Sequence, residues 1–317
     1  MYNEYQKMRF ISQYRDSDRG SIGSICESIF NTFEPYEEMW GADLCTRTKE
    51  ELQPVIDKMM GLRSRTKYTK LLVLKDYVRW CLVMKVDGAK DDMLHIKEIG
   101  LDVVRTHTVK NPMELQRYLD VICEPESLKT LDNIYRCYYW LAYAGMEEED
   151  ILCVKSSDVD FDNMVVHYPK KYTTVPIYKE AVAAMKNCVC LDSFVYIHPN
   201  YKKEILRHRI DGDMIFRGVR GHITTPSMKA ELSRRSKQNE EYTDLKLSYY
   251  RVWLSGVFYR MYIDEINGIE PYFEEIVVSQ MREKSYKIDT EKQKEIKRKQ
   301  LVREYKDDYE RWKLVWH

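Results

Sequence analysis

The chain of 317 residues lacks any run approaching the roughly 20 apolar residues that a membrane span requires, which excludes a helical membrane protein. Its first ten residues, MYNEYQKMRF, hold no apolar stretch of the kind a secretory signal needs, so a cytoplasmic protein is expected. Paired cysteine spacing is missing as well. Cys26, Cys45, Cys81, Cys123, Cys137, Cys153, Cys188 and Cys190 are scattered, and the lone C-x-C of the last two is not a zinc-site pattern. Free thiols in a reducing compartment are the expectation. Histidines and carboxylates show no ligand spacing, so no metal or other cofactor is expected, and a nuclease or metalloenzyme has no support. Internal repeats and low-complexity tracts are absent. So is an excess of charge of one sign, because 51 Lys and Arg balance 51 Asp and Glu.

A neutral total argues against a nucleic-acid partner only where the two signs are mixed evenly. Here they are not. Between Gly61 and Lys90 eight basic residues face two acids, and between Tyr201 and Arg260 thirteen face seven. Acids collect instead at Glu147, Glu148, Glu149 and Asp150, and at Asp158, Asp160 and Asp162. Each basic run reads equally as a solvated helix face; together they permit two basic surfaces.

What the sequence does hold is helical patterning in a composition of soluble globular type, 44% hydrophobic and 32% charged. Ile22, Ile25, Ile29 and Phe33 recur at helical spacing. Thr48 and Glu51 make a capping box before a short helix through Met60. Thr66 fits the N-cap of a long helix whose stripe is Leu71, Leu74, Val78, Cys81 and Leu82, ending near Gly88. The polar stretch Thr106 to Pro112 reads as a linker. Helices follow over Met113–Cys123 and Leu131–Ala144, the second stopped by Gly145. Met164–Tyr168 and Thr173–Ile177 are β-prone and predict a hairpin with Lys170 and Lys171 at its tip. Helices resume over Lys179–Asn187 and Leu245–Ile266, the latter with Leu247, Tyr250, Leu254, Val257, Phe258 and Met261 on its apolar side. A charged last helix, Asp289–Trp316, carries Ile296, Leu301, Tyr305, Tyr309, Trp312 and Trp316 as a sparse stripe, the pattern of a helix that docks on its own body or on another subunit. The fold class expected is mainly α with a small β-sheet.

Read as one string, Tyr143 to Ile177 is YAGMEEEDILCVKSSDVDFDNMVVHYPKKYTTVPI. It resembles the opening of the catalytic domain of the tyrosine recombinases, the phage integrase family. Gly145, Met146, Asp150, Ile151, Leu152, Val154, Asp158, Val159, Asp160, Lys171 and Val175-Pro176-Ile177 fall in register with that family's pattern. Downstream, Leu247 to Arg251 stands where the family has H-x-L-R opening a buried helix. The resemblance implies a tyrosine recombinase fold. It implies a helical, SAM-like core-binding domain over residues 1–106 and a mixed α/β catalytic-like domain with a C-terminal helix over residues 107–317.

The family cuts DNA with a tyrosine nucleophile, two arginines and supporting lysine and histidine, because the phosphorane transition state gathers negative charge. Here the first arginine position is Glu147, a reversal of sign, and the histidine position is Ser248. Lys171 and Arg251 match; Tyr286 falls about where the nucleophile would. The resemblance therefore implies a catalytically inactive scaffold in which these five positions are vestigial. Arg251 reads either as a phosphate contact or as the partner of Glu147 in a salt bridge.

The family clamps double-stranded DNA between its two domains. Arg63, Arg65, Lys67, Tyr68 and Lys70 are the DNA-contact candidates on the N-terminal side. On the other side they are Lys170, Lys171, Arg217, Arg220, Lys229, Arg234, Arg235, Lys237 and Arg251. The sequence most resembles the integrase-like master repressors of SPbeta-type prophages, which implies a bacterial or phage-encoded transcriptional regulator, with the C-terminal helix available for a homo-oligomer. A divergent active integrase, with Arg136 or another basic residue replacing the missing arginine, is the first alternative. An accessory subunit acting through protein contacts is the second.

Overall fold

Four helices open the chain: α1 (Glu4–Arg15), α2 (Gly20–Trp40), α3 (Lys49–Met59) and α4 (Ser64–Val83). The computed structural model describes residues 1–15, 20–59, 64–96, 101–124, 130–168, 173–197, 204–283 and 291–317. The helices close over Phe10, Phe30, Phe33, Leu52, Ile56, Leu74, Tyr77 and Val78, all buried. Tyr77 is the hub: Phe10 and Phe30 meet its ring edge-on at 5.3 and 4.8 Å. Its hydroxyl donates to Asp43 at 2.8 Å, so the ring is buried without leaving a polar atom unpaired. Beside it the buried Lys7 pairs with the buried Glu37.

The capping box is present as predicted, with the Thr48 N–H donating to Glu51 Oε2 at 2.9 Å and the Glu51 N–H donating to Thr48 Oγ1 at 3.4 Å. Three details differ from the sequence reading. The buried face of α2 is Cys26, Ile29, Phe30 and Phe33, while Ile25 is exposed. Thr66 lies inside α4, not at its cap. That helix ends at Val83, five residues before Gly88, because Lys85 already takes the left-handed conformation at φ +56°.

The rest of the chain runs through α5 (Asp102–His107), α6 (Pro112–Ile122), α7 (Asp132–Ala144) and α8 (Glu148–Ile151) to a three-stranded antiparallel sheet of β1 (Val159–Asp160), β2 (Val165–His167) and β3 (Thr174–Pro176). The predicted hairpin is β2–β3, with Val166 opposite Val175. Its tip, with Lys170 and Lys171, lies outside the described residues. Next come α9 (Val182–Cys190) and a second hairpin that the sequence reading missed, β4 (Ser193–Ile197) with β5 (Glu204–His208). The last helices are α10 (Thr225–Gln238), α11 (Tyr249–Ile266), α12 (Phe273–Glu283) and α13 (Glu291–Trp316). The expected fold class, mainly helical with small sheets, is what the chain adopts. No described helix is long and apolar enough to cross a membrane.

The chain divides into two compact units: residues 1–104 with 273–315 and His317, and residues 105–272 with Trp316. In the first, α13 buries Tyr305, Tyr309 and Trp312, and Phe273 meets Tyr309 edge-on at 5.7 Å; Ile296 and Leu314 stay exposed. The stretch read as a linker, Thr106 to Pro112, follows the division between the units and is packed. Thr106 and His107 are helical, and Thr108 and Val109 are buried. The Val109 N–H donates to Ser255 Oγ of α11 at 3.0 Å, and Trp316 Nε1 donates to Thr108 Oγ1 at 3.1 Å.

The second unit is organised by α7 against α11. Every residue of α7 from Asp132 to Ala144 except Tyr135 is buried, which fits a central helix with no solvent face. Gly145 ends it in the left-handed region at φ +105°, as expected. At Gly256 of α11 the two helices touch backbone to backbone. A Cβ there would lie 1.8 Å from the Tyr143 carbonyl oxygen. Gly256→Ala is therefore expected to force the helices apart and to destabilise the protein by about 2–3 kcal/mol. Chemical denaturation followed by circular dichroism measures this; a loss below about 0.5 kcal/mol, the ordinary surface value, would contradict the close approach.

Candidate nucleic-acid interface

Helix α7 ends in carbonyl groups without partners in its own turn, and α11 supplies them. Arg260 Nη1 donates to the Tyr143 carbonyl at 2.5 Å, Trp253 Nε1 to Gly145 at 3.2 Å, and Tyr249 Oη to Met146 at 2.8 Å. In return Tyr139 Oη of α7 donates to the Leu247 carbonyl at 3.1 Å, just before α11 begins. These bonds fix Glu147, which follows Met146, and the Ser248–Arg251 turn in one rigid frame.

Within that frame the positions implied to be vestigial are placed as follows. Glu147 is half-buried at the start of α8, its N–H donating to Tyr168 Oη at 2.5 Å. Ser248 is exposed at the N-cap of α11 and makes no cap bond with its side chain. Arg251, one turn on, is half-buried and donates to the Lys246 carbonyl. Burial pushes its guanidinium down to about 10. The salt bridge to Glu147 is thus not formed; among the described residues Arg251 has no anionic partner. Lys171 and Tyr286 lie outside the described residues.

Arg251 borders a cavity of about 680 Å³ between α7, α10 and the start of α11. Its floor is Tyr139, Leu232 and Leu247, all buried. Lys229, Lys237 and Lys246 stand around it with Arg251, against Glu148 and Glu240. Lys229 is held by Glu148 at 2.8 Å, and the same carboxylate accepts from Tyr138 Oη at 2.6 Å. Lys237 and Lys246 are exposed and form no ion pair among the described residues. The net local charge is positive, since four cations face two acids, and one acid is already paired. No group of three His, Cys, Asp or Glu able to hold a metal occurs among the described residues.

The other candidates separate into surface and interior groups. Arg220 is exposed. Arg234 is exposed and bonded to Glu231 at 2.5 Å and Gln238 at 2.6 Å. Arg217 is buried, with bonds to the Met214 carbonyl at 2.9 Å and Asp192 at 2.8 Å, so it serves the fold. Arg235 grips Asp132 with two bonds of 2.6 and 2.8 Å and lies 4.5 Å over the Tyr135 ring. Arg136 is buried, bonded to Asp120 at 2.8 Å and to the Glu124 carbonyl at 3.0 Å. In α4, Lys70 is half-buried; the side chains of Arg65, Lys67 and Tyr68, and all of Arg63, lie outside the described residues. The sequence reading gave no part to Lys246, which shares the cavity with Arg251. Its spacing of five residues before Arg251, across a turn into a helix, was the available signal.

Residues 1–83, out of 317, match the family model described as the MrpR N-terminal core-binding domain. No curated protein matches the chain. Among solved structures it is similar to the XerA recombinase, at 13% identity over 81% of this chain and 84% of that one, with a TM-score of 0.36. It is similar to the Tn1549 transposon integrase, solved in complex with circular intermediate DNA, at 11% identity over 84% and 88%, with a TM-score of 0.35. The integrase from mycobacterium phage Brujita matches at 14% identity over 80% and 76%, with a TM-score of 0.32. No residue role carries over at such identities.

The separation of surface from interior arginines is directly testable. Arg235→Ala leaves Asp132 buried without its partner and is expected to cost about 3 kcal/mol of stability, whereas Arg234→Ala is expected to stay within about 0.5 kcal/mol. Equal effects in thermal denaturation would contradict the assignment.

Proposed function

We propose that the chain binds double-stranded DNA, does not cut it, and acts as a transcriptional regulator. The observation that carries this is Arg251: a half-buried cation with no carboxylate partner among the described residues, in the first turn of α11. A desolvated charge without a counter-ion is unfavourable. A helix N-terminus is itself positive, which adds to the cost. Such a position is completed by an anion from outside, and a phosphate of the duplex backbone meets a guanidinium with two charge-assisted bonds. Lys237 and Lys246 lie on the same cavity and extend the positive surface by counter-ion release. The core-binding match over residues 1–83 supports DNA as the partner, with the N-terminal unit taking one side of the duplex.

The absence of cutting rests on the sequence positions. Glu147 places a carboxylate where charge must be neutralised, and Ser248 offers no imidazole for proton transfer. Arg136, the candidate to replace the missing arginine in an active integrase, is engaged by Asp120 and backbone carbonyls. The role we infer is that of a repressor of the integrase-like prophage type, on the resemblance of the sequence. A second copy joining through α13 would use Ile296 and Leu314, since Tyr305, Tyr309 and Trp312 are already covered.

Arg251→Ala is expected to weaken binding to all duplex sequences alike and to lower the slope of log affinity against log salt by about one unit. Fluorescence anisotropy at several salt concentrations measures the slope. An unchanged slope would remove Arg251 from the interface.

A further inference from the structure

The cavity beside Arg251 is larger than a backbone phosphate needs. A phosphodiester on the guanidinium would fill only a small part of it. The volume, about 680 Å³, lies inside the range of about 300–1,000 Å³ typical of small-molecule sites. Its parts are also those of such a site: an apolar floor in Leu232, Leu247 and Tyr139, hydroxyls in Ser233 and Ser236, and charged side chains around it. Tyr249 and Tyr250 add aromatic rings on the side of Arg251.

We infer that this cavity binds a small anionic molecule with a flat ring, of the mononucleotide class, and that its occupancy releases DNA. The phosphate would sit on Arg251 with Lys246, and the ring would lie toward the Leu232–Leu247 floor. Ser236 and Ser233 of α10 supply donors and acceptors for the polar edge of the ring. Because the ligand phosphate and the DNA phosphate need the same guanidinium, the two bind in competition. By linkage the ligand then lowers the apparent affinity for DNA. This inference rests on the DNA-binding reading of the same arginine.

The test uses the full chain with AMP, GMP, CMP and UMP, and with inorganic phosphate, each at millimolar concentration. Thermal unfolding is recorded, and retention of a duplex that the protein binds is measured in parallel. At least one nucleotide is expected to raise the midpoint by about 3 °C or more and to reduce duplex retention several-fold, with inorganic phosphate doing much less. Ser236→Trp, which fills the cavity, is expected to bind duplex normally and to lose the nucleotide response; Ser233→Phe serves the same purpose if the first variant fails to fold. Equal effects of phosphate and nucleotides would overturn the ring-binding part. No response to any nucleotide, with duplex binding intact, would overturn the inference and leave the DNA reading standing. Failure to bind duplex without any ligand would instead overturn that reading.

Discussion

The contact on which the second unit depends is the docking of α11 onto the end of α7. Gly256 lets the two backbones touch, and Tyr249, Trp253 and Arg260 donate to the carbonyls at Met146, Gly145 and Tyr143. A helix end inside a protein must find partners for its last carbonyls, and here one neighbouring helix supplies three. The consequence is positional. Glu147 and Arg251 lie on opposite sides of this joint, so their backbone positions are set by the packing of α7 and α11. The frame can therefore persist when the residues in it change. The proposed absence of cutting needs no change in this frame, only the carboxylate of Glu147 and the hydroxyl of Ser248 within it.

Charge is distributed on the same logic. Arginines that the sequence offers as one basic run divide by burial into two kinds. Arg217, Arg235 and Arg136 meet aspartates or backbone carbonyls and hold segments together. Arg209, buried, goes further: its guanidinium donates to the carbonyls of Arg217, Cys188, Leu191 and Ile215. Facing outward without a carboxylate partner among the described residues are Arg220, Lys237, Lys246 and the half-buried Arg251, while the exposed Lys229 and Arg234 are paired with Glu148 and Glu231. A zero net charge is thus compatible with a positive cavity, because paired charges are spent inside.

Much of this architecture was legible in the residues. The capping box at Thr48 and Glu51, the stop at Gly145, the β2–β3 hairpin and the Tyr305, Tyr309 and Trp312 anchors follow from local rules, and local geometry realises them. The candidate site was legible in part. That Arg251 opens a buried helix followed from the apolar spacing, but its contact did not: Lys246 gives it a carbonyl, and Glu147 gives it nothing. Periodicity shows that a helix has an apolar face and not which neighbour will cover it, so Ile25 was placed inward where Cys26 and Phe30 are. The β4–β5 hairpin escaped because exposed Val195 and Leu206 blur the alternation that marks a half-buried strand. Nothing in a run of arginines tells which will meet a carboxylate brought from a hundred residues away, as Arg235 meets Asp132.

The measurement that bears most directly on the central claim is recovery of bound DNA followed by denaturation. The purified chain is mixed with sheared DNA of its own genome, the retained fragments are sequenced, and the complexes are run on a denaturing gel. Enrichment of several related sites, with protein and DNA separating completely on denaturation, is the predicted result. Protein covalently joined to DNA, at one junction or at many, would contradict it.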